Sequence, residues 1–236
     1  MLPGELVMRR GVWIGATVVL LVAGAAAGLF FLGQKPPAFY EQARVSTGDE
    51  TKRRADSKRF VQSVLKVVDD AQRQQRWTEE LSIAELNAWL ADELPRKYGE
   101  WLPKQVREPR VAVDGDRLLV GAEIQRGAWK GIVSVRLRPW LARPNQLALE
   151  VESISAGVLP LPVDQLLEEV VRRAEREGWS IGWREAGGHD VLIIDLDGRF
   201  GRDILVDEIR IADGRLIISG SREQMATLED RGARPR

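Results

Sequence analysis

The sequence predicts an α+β protein: an N-terminal transmembrane helix, then long helices packed on a curved antiparallel β-meander. Three observations carry this. Residues 11–33 contain no charged side chain. Apolar residues recur at three-and-four spacing in two stretches between 49 and 97, and between Val106 and Ile154 the apolar period drops to two.

The run "GVWIGATVVLLVAGAAAGLFFLG" is 23 residues, and as a helix it would be about 34 Å long, enough to cross a bilayer. A cleavable signal peptide is the alternative, since 23–27 is rich in alanine, but the run exceeds the roughly 7 to 15 residues of a signal core. A retained anchor at 11–33, after a short tail at 1–10, is the favoured reading. Arg9 and Arg10 precede it, and most of the basic residues after it lie far from its end, which favours an extracytoplasmic domain. Gly24 and Gly28 form a G-x-x-x-G pair that would let two copies approach as a homodimer, although glycine is common in such helices. Trp13 fits an interfacial position.

Pro36 and Pro37 break any continued helix, so 34–48 reads as a linker. A soluble domain is expected over 49–222 and a tail over 223–236. Asp49 to Gln75 reads as a helix with Phe60, Val64, Val67, Val68 and Ala71 on its buried face. The charged remainder, "KRRADSKR" included, reads as a solvated face, with a phospholipid headgroup contact as the alternative. In "WTEELSIAELNAWLADEL", Ser82 and Glu85 have capping-box spacing. Ile83, Leu86, Trp89, Leu90 and Leu94 then make the stripe of a second helix ending near Pro95.

The meander follows. Val111 and Val113 precede an Asp114-Gly115 turn. Leu118, Val120, Ala122 and Ile124 then alternate with mostly polar neighbours, as do Val133, Val135 and Leu137, and then Leu147, Leu149 and Val151. At about 3.3 Å per residue the longer strands reach some 30 Å, so the sheet is long and curved. "SISAGVLPLPVDQLLEEV" leaves it through a glycine and two prolines and enters a helix whose apolar side holds Val163, Leu166, Leu167, Val170, Val171 and Ala174. That helix ends near Gly178. "HDVLIIDLDGRF" and a hairpin turning at Asp213-Gly214 complete the domain, the hairpin repeating the pattern of "VREPRVAVDGDRLLVG".

The 35 basic and 35 acidic residues cancel, so no global field draws the chain toward nucleic acid. There is no cysteine, which excludes disulfides, thiolate metal sites and a cysteine nucleophile. His189 is the single histidine, so no multi-histidine metal site exists within the chain. Asp190, Asp195, Asp197 and Asp203 near it do not meet calcium-loop spacing and read as turn and strand-edge residues. No P-loop, dinucleotide fingerprint or nucleophile motif is present. The expectation is a protein that is not an enzyme and takes no metal and no cofactor. Trp77, Trp89, Trp101, Trp129, Trp140, Trp179 and Trp183 read as core or rim aromatics, with lipid contact as the alternative.

"NQLALEVESISAGVLPLPVDQLLEEV" resembles the segment of the LmeA-like phospholipid-binding family in which a strand and a Leu-Pro-Leu-Pro hinge lead into an amphipathic helix. "ILVDEIRIADGRLIISGS" is similar to that family's closing hairpin, and "LSIAELNAWL" resembles the strand-to-helix start of the YpmS-like proteins of bacterial envelopes. These stretches cover about 90 of 236 residues. The resemblance implies a membrane-anchored or exported protein with a curved sheet wrapped on a long helix, like half of the tubular lipid-binding fold. The helical insert at 49–97 and the short, charged hinge-to-hairpin segment depart from it.

The expected site is an apolar groove. Its walls would be Leu118, Val120, Val133, Val135, Leu137, Leu147, Leu149 and Val151 on the sheet and Leu166 and Val170 on the helix, with Leu159 and Leu161 at a stiff mouth. Holding an acyl chain of about 16 carbons there, at about 0.8 kcal/mol per methylene, needs on the order of 12 kcal/mol of matching surface. The reading is a membrane-anchored envelope protein that binds membrane lipid, for transfer or envelope maintenance. The alternative is a structural or protein-interaction domain whose helix fills the groove.

Overall fold

The computed structural model describes residues 35–45, 49–99, 102, 105–127, 129–157, 159–161, 175, 178, 180–186, 189–197 and 203–222. The expected transmembrane helix at 11–33, the Gly24/Gly28 pair, the amphipathic helix after Pro162 and the tail at 223–236 lie outside these residues. Among the described residues no helix is long and apolar enough to cross a membrane. The described part is α+β, with helices packed on antiparallel sheets.

The stretch 34–48 is not a plain linker. Ala38–Val45 is a helix, α1, because the Pro37 carbonyl accepts from the Tyr40 and Glu41 amides at 3.0 and 3.3 Å. The prolines thus start a helix, as their fixed φ and missing N–H allow in a first turn. Helix α2, Glu50–Arg73, is capped by Asp49, whose carboxylate accepts from Thr51 N at 2.9 Å and Lys52 N at 3.2 Å. Its face holds Val67 and Ala71 as expected, together with Asp56 and Ser57. Val64 shares that spacing but is 38% exposed. It falls between the turn where Phe60 meets Trp89, with ring centroids 5.8 Å apart, and the turns that meet Trp77.

The 49–97 segment is interrupted by a strand, β1, Arg76–Ser82, before α3, Ile83–Lys97. Ser82 caps α3, its hydroxyl accepting from Glu85 N at 3.4 Å. Pro95 sits inside the last turn, and the helix runs two residues beyond it.

The remaining strands are β2 Val106–Asp114, β3 Arg117–Arg126, β4 Trp129–Arg143, β5 Gln146–Ala156, β6 Leu159–Leu161, β7 Ile181–Ala186, β8 His189–Asp195, β9 Ile204–Ala212 and β10 Arg215–Arg222. They form two antiparallel sheets among the described residues. One has the order β1-β10-β9; the other runs β2-β3-β4-β5-β8-β7, with β6 on β5. The two similar hairpins therefore belong to different sheets. The β9–β10 loop is Asp213-Gly214, with φ of 48° and 70°, the paired positive values that suit a two-residue hairpin. In the β2–β3 hairpin the loop is Gly115-Asp116, one residue later than the expected turn.

The core of the smaller sheet is Val67 and Ala71 of α2 against Trp77, Ile204 and Val206, joined by Leu141 of β4 and by Leu196 just after β8. Glu79 shares the inner face with Trp77 and Leu81 and is held there by an ion pair with Lys66 of α2. Both Glu79 and, secondarily, Asp70 accept from Lys66 and raise its pKa above the ordinary value.

Two buried asparagines act as substitute strand partners. Asn87 of α3 donates to Val111 O at 2.6 Å and accepts from Val111 N at 2.8 Å, which closes the free edge of β2. Asn145, in the β4–β5 loop at φ 59°, donates its side-chain amide to Ile204 O at 3.0 Å and accepts from Val206 N at 2.7 Å. Its own backbone bonds Val206 O and Leu196 N. This one residue ties the two sheets together.

At the end of β10, Arg222 Nε donates to Asp203 Oδ2 at 2.8 Å, and this bond holds the Asp203 carboxyl below its ordinary pKa of 3.8. A depressed carboxylate stabilises the fold fully above that ordinary value and loses its contribution as pH falls through the lowered one. The stability difference between wild type and Asp203→Asn is therefore expected to be present at neutral pH and to vanish in strong acid. Denaturant midpoints across pH measure it, and a pH-independent difference would contradict the assignment.

Candidate functional site

Cross-strand register decides which side chains share a face, since neighbours directly opposite point the same way. Leu118 pairs with Leu137 and Leu137 with Val151; Val120 pairs with Val135 and Val135 with Ile154; Ala122 pairs with Val133 and Val133 with Ala156. Further along, Pro139–Leu149–Leu192 and Leu141–Leu147–Ile194 continue the rows. Eight sequence-chosen positions, Leu118, Val120, Val133, Val135, Leu137, Leu147, Leu149 and Val151, thus lie on one face. A β-bulge between Arg136 and Leu137 keeps Val151 on it, one place out of simple alternation with Ile154. Leu159, opposite Ala156, belongs to the same face and is half-buried. Leu161 pairs with Ile154 through its backbone. Leu166 and Val170 lie outside the described residues.

Sequence reasoning missed Ile154 in the middle of this face and the whole of its far side. Ile154 and Leu192, 3% and 7% exposed, are among its best-buried members, while Ile181 and Trp183 of β7 extend it. Strand β7 went unseen because "IGWREA" has a glycine and two charges in six residues. Trp183 Nε1 is buried on this face without a hydrogen-bond partner among the described residues, a polar donor in an apolar surface.

The opposite face has different chemistry. Arg136 reaches Asp114 at 2.8 Å, Arg138 reaches Asp116 at 3.0 Å, Lys130 reaches Glu123 at 3.0 Å, and the Ser134 and Ser155 hydroxyls bond at 2.8 Å. Helix α1 covers part of it. Phe39 and Tyr40 pack on Gly121, where a Cβ would come within 3.1 Å of both rings. Tyr40 Oη donates to Glu108 O at 2.8 Å, Arg110 Nη1 donates to Tyr40 O at 2.9 Å, and the Arg110 guanidinium lies 4.1 Å from the Tyr40 ring centroid. Glu108 adopts φ 44° at a bulge in β2.

The two ends of the apolar face also differ. At one end Leu141 packs into the core around Trp77, Ile204 and Val206. The other end runs through Ile124, opposite Gly131, to Trp129 beside the β3–β4 turn.

The acidic residues near position 189 serve local structure: Asp195 accepts from Asp197 N at 2.9 Å, and Asp203 pairs with Arg222. Among the described residues no group of three or more His, Cys, Asp or Glu side chains is placed to hold a metal. Of the tryptophans, Trp77 is buried in the core; Trp89 stacks between Phe60 and Tyr98; Trp129, Trp140 and Trp183 are half-buried.

Comparison of the chain with protein-family models, with curated proteins and with solved structures finds no match to any of them.

Proposed function

We propose that the chain is a membrane-anchored, non-enzymatic envelope protein, with its bulk outside the cytoplasm, that binds phospholipid or another acyl-chain ligand on the apolar face of its larger sheet. The observation that carries this reading is the continuity of that face: three apolar rows cross β3, β4 and β5, and two more beside them cross β4, β5 and β8. Strand β4 has 15 residues, about 50 Å at the usual strand rise, which gives more length than one acyl chain needs. The resemblance to the tubular lipid-binding fold points the same way. Lipid transfer or envelope maintenance is the role such a groove would serve.

A specific observation favours the dry-core reading as well. Val151 and Ile154 are 5% and 3% exposed, so the chain itself shields the middle of the face from water.

Photo-crosslinking separates the two. The full chain in vesicles containing a phospholipid with a photoactivatable acyl chain is expected to give adducts in peptides spanning Leu118–Val151, besides any in residues 11–33. Val135→Glu should reduce the sheet adducts at least about tenfold, because a carboxylate opposes apolar contact by several kcal/mol, while adducts in the anchor persist. Adducts confined to 11–33 would leave the sheet as a packed interaction domain. Absence of anchor adducts would remove the membrane reading by itself.

A further inference from the structure

The described residues that follow the uncharged segment are fixed to the sheet. Only residues 34–37 separate Gly33 from α1, and four residues reach at most about 14 Å when fully extended. Helix α1 in turn is held on Gly121, Glu108 and Arg110 by ring packing, two hydrogen bonds and the cation–π contact described above. A domain held this way cannot swing freely on a long tether, so the part of the sheet that carries α1 stays close to the membrane that the segment at 11–33 enters.

The chemistry of the sheet's two ends selects which of them faces that membrane. The end near Leu141 is occupied by the core shared with the smaller sheet, and the β2–β3 loop beside Arg136 and Arg138 is a lattice of mutually paired charges. The end formed by the start of β2, the β3–β4 turn and the β5–β6 turn carries Arg107 and Lys130, both exposed, with half-buried Trp129 and Leu159 beside them. The register brings these together: Val106 pairs with Ile124, Gln105 O accepts from Gln125 N at 3.0 Å, and Gly157 N donates to Ile132 O at 2.6 Å. A tryptophan and a lysine on the two faces of one hairpin tip suit the headgroup layer. The indole has an apolar body with a polar edge, and the ammonium meets lipid phosphate. Glu123, paired with Lys130, is set three residues back from the turn, away from the outermost side chains.

We propose that this end of the sheet rests on the bilayer, with Trp129 and Lys130 in the headgroup layer and the β4–β5 end pointing away. The proposal rests on the reading of residues 11–33 as an anchor and does not require that the groove holds lipid. If the groove does hold lipid, its open end faces the source of it, because the other end is closed by the core at Leu141.

The absence of cysteine makes the test direct. Gln125→Cys and Ala142→Cys place one environment-sensitive fluorophore at either end of the sheet, at exposed positions about 40 Å apart along β4. The full-length protein is reconstituted into vesicles of phosphatidylcholine and phosphatidylglycerol that contain a headgroup-level nitroxide lipid. Resistance to alkaline extraction shows separately whether the anchor is inserted. With the anchor inserted, the label at 125 is expected to be blue-shifted and quenched at least about threefold more than the label at 142. Trp129→Ala combined with Lys130→Glu should reduce the blue shift and quenching at 125, while the circular dichroism spectrum stays unchanged. Equal quenching at the two sites, stronger quenching at 142, or a signal at 125 that survives the double substitution would each overturn the proposal. Extraction of the protein by alkali would overturn the anchor on which it depends.

Discussion

Asn145→Ala is expected to lower the stability of the domain by about 3 to 5 kcal/mol, a large part of the 5 to 15 typical of a domain. The change leaves the Ile204 carbonyl and the Val206 amide without their partners, in residues that are 3% and 1% exposed. Each orphaned buried group costs roughly 1 to 3 kcal/mol. Alanine is also a poor choice at φ 59°, where asparagine is tolerated. Asn145→Gly separates the two causes: it accepts the backbone conformation but restores neither bond, so most of the loss should remain. Denaturant midpoints give the magnitude, and hydrogen exchange gives the location, since the Val206 amide should lose protection in both variants. A loss below about 1 kcal/mol would mean that water replaces the amide and that the sheets do not depend on this residue.

Gly220→Ala is expected to cost at least about 3 kcal/mol, at the upper end of the usual penalty for overpacking. Gly220 lies opposite Trp77 on one side and Val206 on the other. A methyl group there would sit 2.6 Å from Trp77 Cε2 and closer still to the Leu205 carbonyl oxygen. The indole can shift only by opening the core formed with Val67 and Ala71, and the carbonyl belongs to a paired strand. The double variant Trp77→Leu with Gly220→Ala should therefore recover part of the loss by removing the ring, and the strand carbonyl sets the remainder. A double-mutant cycle on denaturant midpoints measures the split. Full additivity would mean that the methyl never meets the ring.

The apolar face of the larger sheet was readable from the chain because its signal is local. Leu118, Val120, Val133, Val135 and Leu137 alternate with mostly polar neighbours, and period two places such residues on one side of any strand. The Ser82 cap and the Asp213-Gly214 turn were legible for the same reason, each needing only a few adjacent residues. The remaining features depend on residues distant in sequence. Strand β1 went unassigned between the two expected helices because Glu79 interrupts its inner face, and Lys66, brought over by α2, makes that carboxylate acceptable there. Helix α1 looked like a linker because two prolines precede it, and its place is decided by Gly121, whose missing side chain admits Phe39 and Tyr40. Asn87 and Asn145 are ordinary polar residues in the sequence. Each becomes a strand partner only where folding sets a free strand edge against it, 24 and about 60 residues away along the chain. Local periodicity thus determined the faces of the strands and helices. Tertiary structure alone decided which edges were closed and how the two sheets were joined, because a hydrogen-bond donor's partner is set by where the chain returns in space.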